Sequence, residues 1–497
     1  MPAEALPAHG RHRRPQRRGV AGNSSAQLLS FAFRAVSGIG VIVLLARAGG
    51  PRAVGIVQFG LTLTSLPPYF YGVPTLLARE VARRPQLGRR WVETGTLIAV
   101  LFGVGFSLLL PAGALLVGAS GVTTAAVGIA SAGMAFDGIA RVQFAAFWAW
   151  ERMTLETLVT GVQEAAYLVG AAVVLELGHG PLSVLLVFAG SRALGAVWGW
   201  GIVGRQLGGP VWPRAPLRSL GRDLKVCTTF AINDTLTLTY ARFDSVMLGA
   251  FKGPVPVGLY NAVTNLVLYF TVIARSVNRA LYPRMGRAWP GRPQAFGRLR
   301  DISLRIIAML SVPLAVGSLL LAPRTIEFLY GPKFAPALLT YQLLIVVIPI
   351  RMAGNTISLS LAATDRQRSR TVAVAAAAVL NIGLNLYFIP RWSYLGAAMT
   401  TVICETLVLV AYALALRRAT GPSELFRAHA VPLLACLPLA AGIVLTRNQP
   451  WPVSVAAGIA GYGTAVAALA WLTAWRSRER GRRTPVRALA LLLEPAR

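Results

Sequence analysis

Residues 45–60 read LARAGGPRAVGIVQFG, and residues 248–263 read LGAFKGPVPVGLYNAV. Leu45, Gly50-Pro51 and Val54-Gly55 recur as Leu248, Gly253-Pro254 and Val257-Gly258, at a constant offset of 203. Polar positions inside the following apolar run coincide as well: Gln58 matches Asn261, and Thr62 matches Asn265. Each copy joins two apolar segments through a Gly-Pro corner. A looser match sets the fifth and sixth apolar windows beside the eleventh and twelfth. An internal repeat of this length indicates two halves of one architecture.

The rest of the chain fits that frame. Of 497 residues, 55% are hydrophobic and only 13% are charged. Ordinary soluble domains carry about twice that charge, so a water-soluble enzyme is disfavoured. Fourteen apolar windows follow one another: 26–46, 54–76, 92–116, 122–147, 155–175, 181–204, 226–250, 256–282, 302–322, 336–362, 371–389, 394–416, 430–446 and 453–475. At ~20 residues per crossing, fourteen spans would need roughly the whole apolar content. The windows are too long for strands and lack the alternation of a β-barrel. The expectation is an all-α integral membrane protein of about fourteen transmembrane helices.

Six windows separate the two copies of the repeat, an even number, so both copies run the same way through the membrane. This predicts two six-helix lobes related by a pseudo-twofold axis along the membrane normal, plus two extra C-terminal helices. The division expected is a disordered basic tail (1–24), an N-lobe (25–204) and an inter-lobe linker (205–225). A C-lobe (226–417), two additional helices (430–475) and a second basic tail (476–497) complete it.

The net charge of +31 is explained by topology. About 33 basic residues fall on one side of the windows and about 7 on the other, the positive-inside distribution. Both termini are therefore expected in the cytoplasm. The basic loops are short and carry no interleaved aromatics, which disfavours nucleic acid. Loops on the opposite side, such as GHGP (178–181) and RNQP (447–450), are too short for an external catalytic domain. A P-loop, an HExxH motif and a triad partner for any histidine are all missing from the sequence. Cys227, Cys404 and Cys436 lack metal-ligand spacing and read as buried free thiols. The expectation is a protein that is not an enzyme and carries no cofactor.

Polar groups inside the windows are the candidate functional residues, since charge at mid-bilayer is costly unless it meets protein or water. The stretch 256–282 carries Asn261, Thr264, Asn265, Thr271, Arg275, Asn278 and Arg279 at helical spacing, one polar stripe on an apolar helix. Arg275 and Arg279 are one turn apart and repel; an anion between them would relieve the repulsion and fits a bidentate phosphate grip. Lipid headgroups or an internal acid would serve as well. Window two repeats the theme with Gln58, Thr62, Ser65 and Tyr69, window seven with Asn233, Thr237, Tyr240 and Asp244. Arg34 sits midway along the first window, either as a cavity cation for phosphate or as partner of an acid such as Asp137 or Glu164. Asp137 and Arg141 are spaced i,i+4 and are expected to pair. Arg192 and Arg305 fall near window ends, where snorkelling to the headgroups is expected.

The motifs LARAGGPRAVGIVQFG (45–60), ARFDSVMLGAFKGPVPVGLYNAVTNL (241–266), EFLYGPKFAPA (327–337) and NIGLNLYFIPRWSYLGAAMTT (381–401) occur in order across residues 25–417. In these the chain resembles the bacterial polysaccharide (O-antigen type) flippases of the multidrug/oligosaccharidyl-lipid/polysaccharide exporter superfamily. The resemblance implies two bundles around a central cavity that opens alternately to either side. It also implies an undecaprenyl-diphosphate-linked glycan as cargo, with membrane lipids and glycosyltransferases or a polymerase of the same pathway as partners. Asp244 matches an acidic position typical of that family, where it either serves coupling or gating or packs against the repeat loop. On this reading the cavity is lined by Arg34, Gln58, Thr62, Tyr69, Asn261, Asn265, Arg275 and Arg279. Coupling or gating, by H+ or Na+ if any ion is used, falls to Asp234, Asp244, Glu164 and Glu405. Two rivals remain at this point: an ion-coupled multidrug-type antiporter on the same fold, and a membrane scaffold for polysaccharide enzymes.

Overall fold

The computed structural model describes residues 20–67, 69–116, 118–215, 220–221, 223–225, 227 and 242–479. Within that range the side chains of 20–21, 23–24, 69–71, 272–276, 279–280 and 473–479 lie outside the description. The described residues are all-helical and contain no strand. In the N-terminal half the helices are α1 (Val20–Thr64), α2 (Tyr69–Arg83), α3 (Gly88–Leu116), α4 (Gly121–Ala149), α5 (Met153–Glu176) and α6 (Pro181–Gln206). Next comes α7, residues 242–252, followed by α8 (Pro254–Ala288), α9 (Pro293–Leu320), α10 (Ala322–Tyr330) and α11 (Leu338–Ala363). The described residues close with α12 (Gln367–Thr420), α13 (Leu425–Leu445) and α14 (Trp451–Glu479). Ten of the described helices are long and apolar enough to cross a membrane, making this a multi-pass membrane protein.

Two helices are longer than any single crossing. The 45 residues of α1 would reach about 68 Å if straight, and the 54 of α12 about 81 Å, against a hydrocarbon core of ~30 Å. Each is instead folded at a sharp corner: α1 at Gly50 (φ 67°, ψ −166°) and α12 at Ser393 (φ 54°, ψ −133°). Proline at 51 and at 390 removes a backbone donor beside each corner. Gly253, the residue before α8, takes nearly the same left-handed conformation as Gly50 (φ 79°, ψ −169°). The Gly-Pro corner noticed in sequence is thus one backbone shape used twice, and positive φ explains glycine at both places.

The second apolar window departs from expectation. It reads as one span over 54–76, yet α1 ends at Thr64 and α2 begins at Tyr69. Consecutive prolines at 67 and 68 supply no backbone donor and disfavour helix in the residue before them. Tyr69 therefore does not continue the Gln58–Thr62–Ser65 stripe, and its side chain lies outside the described residues.

Within the N-terminal half, α3 packs along α4, α4 along α6, and α1 along α5. In the other half α11 packs along α12, α8 and α9, while α13 packs on α9 and α14. The halves meet where α1 crosses α8. A β-carbon on Gly55 would overlap the Pro254 carbonyl, and one on Gly258 would overlap the Pro51 carbonyl. Leu45, Val54 and Val57 join Leu248, Val257 and Tyr260 in one fully buried core at this crossing. The three cysteines are buried and free.

Polar clasps fix the last two helices at both ends. At the basic end, Arg300 forms a bidentate pair with Asp301 and donates to Thr420 Oγ1 (3.0 Å) and the Pro422 carbonyl (2.9 Å). Arg305 pairs with Glu424 beside it. The expectation that Arg305 snorkels gives way to this contact: its acid partner, from the α12–α13 turn, is within reach. At the opposite end, Trp451 stacks on Phe328 (4.7 Å between centroids, 10° between planes) and donates to Thr325 Oγ1 (3.0 Å).

Candidate functional site

A cavity of about 330 Å³ lies at the seam between the halves. Arg34, Gly38, Val41 and Ile42 of the first limb of α1 line it together with Gln58, Leu61 and Thr62 of the second limb and Ser65 just beyond. Helices α4, α5 and α6 contribute Met134, Asp137, Arg141, Glu164, Tyr167, Phe188 and Arg192. The C-terminal half adds Arg242 from α7, with Asn265 and Tyr269 from α8. The break after Thr64 borders the cavity, consistent with irregular backbone being confined to protein-lined water at membrane depth.

Charge in the cavity is predominantly positive: four arginines stand against two acids. Arg141 Nε lies 2.7 Å from Asp137 Oδ2, the i,i+4 pair expected from spacing. Arg192 Nη1 lies 2.7 Å from Glu164 Oε1, and its guanidinium rests 4.8 Å from the Phe188 ring centroid. The expectation that Arg192 snorkels is corrected here. It lies near the middle of α6, a turn from Gly195, with a buried acid facing it from α5. Arg34 has a different acid from the two considered in sequence: Glu156 at 3.7 Å, with Thr160 at 3.5 Å. Its side chain keeps 42% of its surface exposed, so the guanidinium remains open to the cavity. Arg242 donates to Asn265 Oδ1 (3.3 Å), and Asn265 donates to Gln58 Oε1 (3.2 Å).

Of the sequence-chosen residues, Arg34, Gln58, Thr62, Asn265 and Glu164 line this cavity. Asn261 does not: it is fully buried at the helix crossing, accepting from Ser245 Oγ (3.2 Å) and donating to the Val257 carbonyl (3.1 Å). Three residues beyond Gly258, it sits where the backbones touch and stitches α7 to α8. Asp244 and Glu405 face a second, much smaller pocket of about 20 Å³ in the C-terminal half. There Asp244 accepts from the Tyr260 hydroxyl and the Ser245 amide, and Glu405 accepts from Arg351 Nη2 (2.6 Å) and Nε (3.1 Å). Arg275 and Arg279 lie on α8 with side chains outside the description, and Asp234 lies outside the described residues altogether. Arg242, Tyr269 and Phe188 were not singled out as lining residues. Arg242 had one legible signal, a charge inside the apolar window 226–250, the same signal that marks Arg34 in the first window.

Fold and site together define a multi-pass helical membrane protein built around a polar, net-cationic cavity between two packed halves. Residues 18–289 match the family described as polysaccharide biosynthesis protein, and the chain belongs to that family. Residues 217–459 match the family described as lipid II flippase MurJ. Among curated proteins, the chain is 23% identical over 243 residues to an "Uncharacterized membrane protein in cps region" of Klebsiella pneumoniae, covering 48% of this chain and 50% of that one. It is 24% identical over 198 residues to "Probable flippase AglR" of Haloferax volcanii, covering 39% and 41%. The chain spans about half the length of the curated relatives it matches. Among solved structures, lipid II flippase MurJ in an inward closed conformation superposes with TM-score 0.72 at 15% identity, over 90% of this chain and 98% of that one. An inward-facing multidrug resistance MATE transporter of the MOP superfamily superposes with TM-score 0.61 at 14% identity, over 82% and 96%. The chain therefore shares the fold of these two transporters.

Proposed function

We propose that this protein is a flippase carrying an undecaprenyl-diphosphate-linked oligosaccharide or polysaccharide repeat unit across the bacterial cytoplasmic membrane by alternating access. The observation that carries the reading is the cavity at the seam, where arginines outnumber acids two to one. A diphosphate is the part of such a lipid that guanidinium groups recognise, bidentately and with charge assistance. The glycan meets the amides and hydroxyls of Gln58, Thr62, Ser65 and Asn265, and the lipid tail stays in the bilayer. On this reading α1 and α12 each cross twice, α7 and α8 once each, and the total is fourteen, with both termini cytoplasmic. The reciprocal Gly55–Gly258 contact supports a pseudo-twofold relation between two lobes.

Coupling to H+ or Na+ falls in this proposal to Glu164 in the large cavity and to Asp244 and Glu405 in the small one, with Asp234 a fourth candidate from the sequence. A drug antiporter on the same fold needs an acid-dominated cavity for cationic cargo, and four arginines weigh against it. The test is translocation in proteoliposomes carrying a lipid-diphosphate-linked glycan, read by glycan accessibility to an impermeant lectin. Arg34→Ala should slow translocation at least tenfold while the protein still inserts and remains monodisperse. Wild-type rates in Arg34→Ala, Arg275→Ala and Arg279→Ala together would remove the phosphate-grip reading.

A further inference from the structure

The cavity's charges are divided unequally between the halves. Arg141 answers Asp137, Arg192 answers Glu164, and Arg34 reaches Glu156, all within the N-terminal half. Arg242 enters from the other half, and among the described residues its hydrogen-bond partner is a neutral amide, Asn265. That amide is oriented at both ends: its oxygen accepts from Arg242 at 3.3 Å and its nitrogen donates to Gln58 Oε1 at 3.2 Å. Turned over, it would set its NH2 against the guanidinium and lose both bonds. Gln58 belongs to α1 and Asn265 to α8, so this three-residue chain bridges the seam, starting from a cation in the cavity. It lies beside the backbone crossing, Gln58 being three residues beyond Gly55.

We propose that Arg242, Asn265 and Gln58 form the relay by which an anion in the cavity loosens the seam between the halves. The inference rests on the anionic-cargo reading above. Arg242 is the guanidinium that an arriving phosphate captures most readily, because the bond given up is to a neutral amide and the bond formed is charge-assisted. Once Arg242 turns away, the oxygen of Asn265, a residue only 8% exposed, loses its donor, and the amide holding Gln58 is no longer fixed in orientation. An anion then favours the state in which the seam contact is absent, which is the differential interaction any ligand-driven change requires. Arg242 binds; Asn265 and Gln58 act as positioning residues.

The experiment uses the full chain in nanodiscs, with Cys227, Cys404 and Cys436 replaced by alanine and spin labels on Arg205→Cys and Arg287→Cys, both exposed positions on the basic face. Inorganic diphosphate is the probe, and the inter-label distance distribution is read at saturation, where differences in affinity drop out. Wild type is expected to shift its distribution. Gln58→Met, close in shape but without an acceptor for Asn265, should show no shift, and Gln58→Glu should restore it. Arg242→Gln should weaken diphosphate binding about tenfold. A full shift in Gln58→Met overturns the relay. Unchanged affinity in Arg242→Gln overturns its starting point while leaving the anionic-cargo reading intact. No diphosphate binding by wild type overturns both.

Discussion

Gly55 and Gly258 face each other backbone to backbone where α1 crosses α8, each occupying the space a β-carbon of the other's helix would need. The two residues are 203 positions apart, equivalent in the repeat, and their overlaps are reciprocal: Gly55 against Pro254, Gly258 against Pro51. Small residues permit such an approach in membranes, where close packing rather than solvent exclusion holds helices together.

Because the opposing atoms are backbone carbonyls that cannot swing aside, Gly55→Ala and Gly258→Ala should each destabilise by about 1–3 kcal/mol. Reciprocity implies similar losses and a double variant less than additive, since one displacement of the helices relieves both clashes. Thermal unfolding of the detergent-solubilised protein measures this, and unchanged midpoints in both variants would contradict the contact.

Glu164 and Arg192 form a buried pair with side-chain exposures of 6% and 11%. Removing one partner leaves the other charge uncompensated, so Glu164→Ala should cost about 3–5 kcal/mol. Glu164→Gln combined with Arg192→Met should recover most of that loss, because neither charge then remains. Equilibrium unfolding of the two variants distinguishes a paired charge from mere packing.

The Arg300 clasp makes a separate prediction at the other end of the molecule. Arg300 is 3% exposed and fixes the Thr420–Glu424 turn through Asp301, Thr420 and Pro422. Arg300→Ala should release that turn, and trypsin should then cut at Arg417, Arg418 or Arg427 several times faster than in wild type. Resistance equal to wild type would mean that α13 is held by its apolar face alone.

On the face opposite the basic loops, Arg47 of α1 donates to the carbonyls of Phe328 and Leu329 at the end of α10. These cross-seam bonds satisfy carbonyls that no helical turn reaches. Arg47→Ala removes both bonds and, at ~0.5–1 kcal/mol net for each, should increase thiol labelling of Phe328→Cys about five- to thirtyfold. Unaltered labelling would show that the contact does not hold α10 to the N-terminal half.

Much of the architecture is legible in the amino-acid sequence alone. Apolar windows report how each segment partitions between hydrocarbon and water, a property of neighbouring residues only. The repeat at 45–60 and 248–263 was equally local, and the shared left-handed glycine at 50 and 253 gives it a physical cause. The Asp137–Arg141 pair was readable for the same reason, lying one turn apart on one helix. The window at 54–76 misled because hydropathy does not register the missing donors of Pro67 and Pro68.

What composition and periodicity determined, then, was a helical membrane protein with a repeated Gly-Pro corner and cations placed inside its apolar segments. Tertiary structure alone decided which of those cations answer to acids and which face the cavity. Arg192 and Glu164 are 28 residues apart, Arg351 and Glu405 are 54 apart, and Arg34 finds Glu156 rather than the two acids its position suggested. Asn261 and Asn265 sit on one sequence stripe, yet the first is sealed in the crossing and the second opens to the cavity. Such pairings depend on the angle and depth at which helices cross, set by contacts between residues far apart in the chain, and no single segment carries that information.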